Sequence, residues 1–227
     1  MNTTQGYLLV VEDIPDILTL LDTTLKFKGY QVRTARNGQE ALEVIEKEHP
    51  LLIVTDILMP RMDGFTLVHH LRVQRETRAI PVIFLSATYV APEDKSFAIT
   101  AGATRFMEKP VAIDELLKAI EDLLKLTAPV ETKPMSEREF YIEYRKRLMI
   151  KLTEKNSQIA RGQGILQGVS EAEKESFTSY LHQAVDDRKE IQRLLEQVDA
   201  FLEKKDDEEE KKEDPPGQSK PASPPEP

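Results

Sequence analysis

The sequence predicts an α/β fold for residues 1–126, in which helices cover both sides of a parallel β-sheet. Short apolar runs and segments of helical periodicity alternate there five times. Three of the runs, YLLVV, LLIVT and VIFL, are apolar throughout, which is typical of strands buried on both faces. Five successive strand–helix units favour right-handed crossovers and therefore a parallel sheet.

The predicted elements follow one another with short connections. The strands are the runs Tyr7–Val11, Gln31–Thr34, Leu51–Thr55, Pro81–Leu85 and Thr104–Met107. The helices are the periodic segments Ile14–Lys28, Gly38–Glu48, Phe65–Arg75, Pro92–Ala101 and Asp114–Leu126. Pro15 in the first turn and Gly29 after the end are typical of helix termini.

Residues 136–205 predict an α-helical hairpin. Its first helix should run from about Glu137 to Ile159 and its second from about Glu171 to Lys204. A capping box, in which a serine is followed three residues later by a glutamate, precedes each helix at Ser136 and Ser170. The glycine-punctuated stretch RGQGILQGV is the predicted connection.

The second helix carries a heptad pattern typical of a coiled-coil seam. Its seam positions are Phe177, Ala184, Ile191 and Val198, with Tyr180, Leu194 and Phe201 at companion positions. The first helix has an apolar stripe at steps of four, formed by Phe140, Tyr144, Leu148 and Leu152. Since two helices alone bury little surface, we expect the hairpin to dimerise or to pack on a partner. Asp187 interrupts the seam and should face water or pair with a basic residue across the interface.

Two segments are predicted to lie outside the folded parts. Residues 127–135, TAPVETKPM, are a linker with two prolines and no periodicity. Residues 206–227 are acidic and then proline-rich. Because such a tail cannot bury enough apolar surface to offset the entropy of ordering, we expect it to be disordered.

Composition limits the classes of function. The net charge of −9 comes from residues 1–126 and 206–227, while 136–205 is neutral. Since no segment is strongly basic, DNA binding is unlikely, although the stretch 138–161 holds seven basic and three acidic residues. With no cysteine and no apolar run near the ~18 residues of a membrane span, we expect a cytoplasmic protein without disulfides or a membrane segment.

Polar residues stand at the ends of four predicted strands. Glu12 and Asp13 follow the first strand, Asp56 the third, Ser86 the fourth and Lys109 the fifth. Because the carboxyl ends of parallel strands meet at one edge of the sheet, we expect these side chains to lie together. Three carboxylates there would repel one another without a cation, and hard oxygen ligands with no His or Cys nearby suit Mg²⁺.

This set of residues predicts phosphoryl transfer to a carboxylate. A carboxylate can attack phosphorus to give an acyl phosphate. The protein then has to align donor and acceptor and to neutralise charge on the transferring oxygens. Mg²⁺ would supply much of that neutralisation, Lys109 a second positive charge and the Ser86 hydroxyl a hydrogen bond.

Four segments, VVED, TDILMPRMDG, LSAT and FMEKP, resemble in order and spacing the signature of response-regulator receiver domains. The resemblance covers residues 1–126. It implies a doubly wound five-stranded sheet with strand order 2-1-3-4-5. It also implies a signalling switch that accepts a phosphoryl group from a sensor histidine kinase or phosphotransfer protein, with Mg²⁺, and catalyses only its own phosphorylation and dephosphorylation.

The same resemblance implies roles for single residues. Asp56 is the phosphoacceptor, Lys109 pairs with the phosphoryl group, Ser86 is the switch hydroxyl and Phe106 the switch aromatic. The metal ligands are Glu12, Asp13, Asp56 and the backbone carbonyl of Leu58. Glu12 stands where Asp is frequent and should hold the metal through water. Phe106 lacks the hydroxyl that a tyrosine would bring.

The output of the second half is left open by the sequence. No segment after residue 135 resembles a winged helix, and helices of this length exceed what a helix-turn-helix uses. A helical dimerisation or protein-binding output is therefore the favoured interpretation. A transcription regulator that uses the basic first helix on DNA, or a phosphorelay intermediate, are the alternatives. We interpret His182, which is followed by Gln183, as an exposed residue without a role in phosphoryl transfer.

Overall fold

The computed structural model describes residues 6–125, 135–166 and 171–213, so the predicted linker except Met135 and the tail from residue 214 lie outside it. The strands are β1 (Leu8–Val11), β2 (Val32–Ala35), β3 (Leu52–Asp56), β4 (Val82–Ser86) and β5 (Arg105–Glu108). They form a parallel sheet in the order β2-β1-β3-β4-β5, which confirms the predicted fold class and strand order.

Five helices cover the two faces of this sheet. They are α1 (Pro15–Phe27), α2 (Gly38–Lys47), α3 (Gly64–Val73), α4 (Pro92–Thr100) and α5 (Ile113–Leu124). The apolar residues of α1 and α5 share one buried cluster with one face of the central strands, and those of α2, α3 and α4 share a second cluster with the other face. This double coverage explains why β1 is apolar throughout and why β3 and β4 are apolar except at their carboxyl ends.

A helical hairpin follows, formed by α6 (Glu137–Leu166) and α7 (Glu171–Glu213). Ion pairs join the two helices in reverse order, Arg138 with Asp206 and Lys155 with Asp187, so the helices are antiparallel. The Ser136 hydroxyl accepts a hydrogen bond from the Glu139 N–H at 3.3 Å, as expected of a helix cap. The second predicted cap, at Ser170, lies outside the described residues. No helix in the described ranges is both long and apolar enough to cross a membrane.

Both hairpin helices are longer than predicted. The first continues through Gly162 and Gly164, two of the glycines that were expected to form the connection, while Gly168 lies outside the described residues. Gly162 lies against α7, since a Cβ there would lie 2.4 Å from Leu181 Cδ2. Close packing offsets the cost of about 1 kcal/mol that glycine brings to a helix interior. The second helix includes residues 206–213, which corrects the expectation of disorder from 206. Glutamate and lysine favour helix, and Arg138 of α6 pairs with Asp206.

The predicted seam of α7 is largely confirmed. Its members Ala184, Ile191, Leu194 and Val198 are all buried. Tyr180 is not part of the seam, since it is 54% exposed and Leu181 is buried in its place. Asp187 pairs with Lys155 Nζ at 2.7 Å, so the break in the seam is satisfied by a cation on the facing helix, as predicted.

The apolar stripe of α6 packs on the α/β domain of the same chain. The Phe140 ring stacks on His69 of α3 with centroids 4.1 Å apart. The Tyr144 ring lies 5.5 Å from Phe65 of α3 and 6.2 Å from Phe97 of α4. The α/β domain and α7 thus cover this stripe within the chain, and the expected dimer or partner of the hairpin stays a prediction.

A buried ion pair joins α6 to the start of α4. Lys151 Nζ lies 2.6 Å from Asp94 Oδ2, and both side chains are almost completely buried. Asp94 also accepts a hydrogen bond from the Ala91 N–H at 3.2 Å and so caps α4. Lys151 Nζ lies 5.6 Å from the centre of the Tyr89 ring, in the loop between β4 and α4. The hairpin is therefore attached to the loop that follows β4.

Candidate phosphoacceptor site

Three carboxylates meet at the carboxyl edge of the sheet, where the strand ends predicted them. Glu12 and Asp13 follow β1, and Asp56 is the last residue of β3. The two strands are neighbours in register, so one carboxylate oxygen from each residue lies within 4.8 Å of the others. Glu12 is buried, with an exposed fraction of 1%. A group of oxygens at this spacing could hold a divalent metal ion.

Lys109 provides the positive charge of the cluster. It follows β5, and its Nζ donates to Glu12 Oε2 and to Asp56 Oδ2, both at 2.7 Å. The second oxygen of Asp56 accepts a hydrogen bond from the Ile57 N–H at 2.6 Å. One ammonium therefore faces two of three carboxylates, and negative charge remains in excess.

Burial and crowding shift the acid–base properties of these groups. Burial, followed by the charge of Asp56, raises the pKa of Glu12 to about 7 and the pKa of Asp13 to about 6. Burial also raises the pKa of Asp56, although Lys109 acts against it. For Lys109 burial alone would lower the pKa, but the charges of Asp56 and Glu12 outweigh burial and raise it. A metal ion among the carboxylates would relieve the same repulsion.

Ser86 is the last residue of β4 and is buried. Its hydroxyl oxygen accepts hydrogen bonds from the N–H groups of Thr88 at 3.2 Å and Tyr89 at 3.0 Å. The hydroxyl therefore closes the turn that leads out of the strand. Tyr89 is fully buried, and its ring lies 5.3 Å from that of Phe65.

The remaining predicted site residues lie close to this edge. Leu58, two residues after Asp56, lines the cavity above the acidic cluster. Phe106 lies on β5 in register with Phe84 of β4, is partly buried and packs against the cluster that includes Phe65. The proposed roles of the Leu58 carbonyl and of the Phe106 ring stay predictions.

The turn between β3 and α3 brings backbone against Asp56. Asp63 caps α3 by accepting a hydrogen bond from the Thr66 N–H at 3.0 Å. A Cβ at Gly64 would lie 2.3 Å from the carbonyl oxygen of Asp56, so only glycine fits there. The segment MDG thus places the amino end of α3 in direct contact with the end of β3.

A cavity of about 670 Å³ opens above Asp56, and α7 forms one of its walls. The side chains that α7 contributes are Gln183, Asp186, Asp187 and Glu190. Sequence reasoning treated Asp187 only as a break in the seam and missed this contact. The signal was present, because these four polar residues recur at steps of three and four beside the seam.

Comparison with known proteins agrees with the fold. The model of the response regulator receiver domain matches residues 8–121. The transcriptional regulatory protein GlrR of Escherichia coli is 34% identical over 186 residues, which are 81% of this chain and only 40% of that protein. An uncharacterised 14.6 kDa protein of Leptolyngbya boryana is 39% identical over 114 residues, which are 50% of this chain and 86% of that protein.

Solved structures show the same similarity. The receiver domain of a signal transduction histidine kinase from Syntrophus aciditrophicus is 35% identical with a TM-score of 0.51, and the match covers 58% of this chain and 98% of that one. The chemotaxis response regulator CheY4 of Vibrio cholerae is 34% identical with a TM-score of 0.50, and the match covers 53% of this chain and 99% of that one. The family model matches half of the chain, and the acidic cluster lies within the matched residues. The chain therefore belongs to the response-regulator family, through a receiver domain in its first half.

Proposed function

We propose that this chain is a two-component response regulator that accepts a phosphoryl group on Asp56 from a phosphohistidine of a sensor kinase or phosphotransfer protein. The observation that carries the proposal is the cluster of the buried Glu12 with the partly buried Asp13 and Asp56, in which Lys109 is bonded to Glu12 and Asp56 at 2.7 Å. A cavity opens directly above Asp56, so a donor has room to approach the carboxylate.

In the proposed reaction an oxygen of the Asp56 carboxylate attacks phosphorus. A P–O bond forms while the P–N bond to the donor imidazole breaks, and the electron pair of that bond goes to the imidazole nitrogen. The Ile57 N–H holds one carboxylate oxygen in place. Lys109, already bonded to the other oxygen, is positioned to pair with a transferred phosphoryl oxygen.

The acidic cluster fits Mg²⁺ as the cofactor. Its donors are hard carboxylate oxygens within 4.8 Å of one another, and the crowding that raises the pKa values of Glu12 and Asp13 favours a cation. We assign Asp13, Asp56 and the Leu58 carbonyl as ligands, with Glu12 acting through water. Bound Mg²⁺ supplies positive charge to the oxygens of the transferring group.

The proposed output passes through the hairpin, by self-association or by binding a protein partner. The transcriptional names of several relatives favour DNA as a second candidate. Against it, four basic residues of α6 are paired with acids: Arg138 with Asp206, Arg145 with Asp199, Lys151 with Asp94 and Lys155 with Asp187. Salt-dependent binding of duplex DNA by the full chain would support the DNA alternative.

Labelling with a small-molecule phosphodonor tests the proposal. With Mg²⁺, the wild type should gain one phosphoryl group by intact mass, and Asp56→Asn should gain none, because an amide is a poor nucleophile. Asp114→Asn, an exposed change in the first turn of α5, is the matched control and should label normally. Labelling of Asp56→Asn at the wild-type level would exclude Asp56 as the acceptor.

A further inference from the structure

A histidine of α3 is buried where the hairpin packs on the receiver. His69 is 4% exposed, and its imidazole ring stacks on the Phe140 ring of α6 with centroids 4.1 Å apart and an interplanar angle of 5°. The Tyr141 ring meets the same imidazole edge-on at 6.1 Å. From α4 the uncharged Phe97 ring stacks on Phe140. The imidazole is therefore covered mainly by apolar rings, and two of them belong to α6.

Few charged groups act on this imidazole. On its own helix the neighbouring His70 disfavours a proton on His69, and on α6 Glu137 favours one. Glu137 also lies 3.5 Å from Lys205 of α7, which offsets its charge. Glu139 is exposed and lines the same cavity of about 570 Å³ as both histidines. Within the described ranges no carboxylate forms an ion pair with His69 that would hold a proton there.

Burial under α6 disfavours the charged form of the imidazole. Desolvation is the largest cause and His70 adds to it, while Glu137 acts against both, so the pKa of His69 is lowered from 6.5 to about 4. When α6 leaves, His69 lies on the open surface of α3, and its pKa should return toward 6.5. A proton therefore binds more tightly to the chain with a released hairpin than to the chain with a docked hairpin.

We propose that His69 makes the docking of the hairpin on the receiver sensitive to pH: the neutral imidazole allows α6 to pack on α3, and a proton on it releases α6. The proposal goes beyond the proposed function, since it needs no phosphoryl group on Asp56. Linkage sets its sign, so docking is strongest above pH 6.5 and weakens as pH falls from 6.5 to about 4. Within that range each pH unit lowers the docking constant by up to about tenfold.

NMR titration of the full-length chain with labelled histidine tests the charge state directly. The chain has four histidines, and the resonance that is lost in His69→Phe belongs to His69. The pKa of His69 should be about 4 in the wild type. In Lys151→Glu, which places a second acid against the buried Asp94 and so releases α6, it should return toward 6.5. A value at or above 6.5 in the wild type would overturn the proposal, because attraction of the imidazolium to the Phe140 ring would then outweigh burial.

Spin labels measure the release itself. The chain has no cysteine, so Lys118→Cys on α5 and Gln163→Cys near the carboxyl end of α6 give one label pair, both at exposed positions. Lys151→Gln removes the cation paired with Asp94 and weakens docking, so that docked and released molecules can both be counted. In this parent the ratio of released to docked molecules should rise about sevenfold from pH 6 to pH 5. An unchanged ratio would overturn the proposal.

His69→Phe in the same parent isolates the imidazole from other titrating groups. The variant keeps a ring for Phe140 to stack on and takes up no proton, so its ratio should stay nearly constant; His69→Gln replaces it if the larger ring does not fold. His49→Gln, in the exposed loop after α2, is the matched control and should behave as the parent does. All samples lack Mg²⁺ and beryllofluoride, a mimic of the phosphoryl group. A ratio that rises in the His69 variants as much as in the parent would assign the pH dependence to other groups and overturn the proposal.

Discussion

Lys109 offsets part of the charge of the acidic cluster. Among the residues that the structure describes, it is the one cation bonded to Asp56 and Glu12, at 2.7 Å from each. The position of Lys109 was predictable from sequence because it follows the last strand of a parallel sheet. The bond between Lys109 and Glu12 was not predictable from sequence, because it depends on the length and rotamer of two long side chains.

Replacing Lys109 should slow phosphorylation more than it disturbs the fold. In Lys109→Gln, the charge that pairs with the phosphoryl oxygens is lost, so we expect the labelling rate at saturating Mg²⁺ to fall at least about tenfold. Lys118→Gln, an exposed change on α5, is the control. An initial rate by intact mass that is the same for both variants would remove Lys109 from the transfer step.

The raised pKa values of Glu12 and Asp13 predict pH-dependent metal binding. Because these values are about 7 and about 6 rather than 4.5 and 3.8, the carboxyls take up protons as pH falls from 8 to 6. A protonated carboxyl is a poor ligand, so Mg²⁺ affinity should fall over this range and binding should release protons. Because the folded protein holds these protons more tightly than the unfolded chain, the free energy of unfolding of the metal-free protein should rise as pH falls through about 7. Mg²⁺ affinity should change in the opposite direction and fall.

Calorimetry of Mg²⁺ binding in two buffers of different ionisation enthalpy measures that release. Asp13→Asn should release fewer protons, while Asp16→Asn, an exposed neighbour on α1, should match wild type. Mg²⁺ affinity that does not change between pH 8 and pH 6 would show that the two carboxyls are already ionised in the metal-free protein.

At the scale of elements, the loop after β4 connects the site to the hairpin. Ser86 holds the N–H groups of Thr88 and Tyr89, and Tyr89 lies under Lys151 of α6. A serine at this strand end was predictable, and so was the apolar stripe of α6. The surface that covers the stripe was not, because periodicity identifies an apolar face and says nothing of what it packs on.

In Ser86→Ala, phosphorylation should persist while the response of this loop to phosphorylation is lost. The change leaves the buried N–H of Tyr89 and the partly buried N–H of Thr88 without their acceptor, so we expect a loss of about 1–3 kcal/mol in the free energy of unfolding. Labelling should persist, because Asp56, Lys109 and the metal ligands remain. Ser86→Thr keeps the hydroxyl and is the matched control.

Hydrogen exchange of residues 87–91 with and without beryllofluoride measures the loop directly. The wild type and Ser86→Thr should change protection on loading, and Ser86→Ala should not. A full response in the alanine variant would show that the hydroxyl is not part of the switch.

Across the whole molecule, the structure of the receiver half was predictable from the sequence, and the packing of the hairpin half was not. Buried strands and polar strand ends follow from local pattern and parallel topology, so both were predictable. The path of α6 through Gly162 depends on Leu181 of α7, a contact between residues far apart in sequence. The acidic wall over Asp56 depends on how the whole hairpin packs against the receiver.

Internal packing of the hairpin predicts a change in assembly on loading. The stripe of α6 is covered within the chain, so the unloaded protein should be monomeric at tens of micromolar. Beryllofluoride should shift it toward a dimer if released helices pair with a second copy. Sedimentation with Asp56→Asn as the control measures this. A monomer in both states leaves a protein partner as the output, and a dimer that ignores beryllofluoride would contradict coupling of assembly to the site.

Chemical trapping determines which residue carries the phosphoryl group, which we expect to be Asp56. Borohydride reduces an aspartyl phosphate to homoserine, so the acceptor is marked permanently in the chain. After labelling with a small phosphodonor and Mg²⁺, peptide sequencing by mass spectrometry should find homoserine at position 56 and not at Asp13 or Asp63. Homoserine at another aspartate, or none in protein whose intact mass shows the added phosphoryl group, would contradict the assignment.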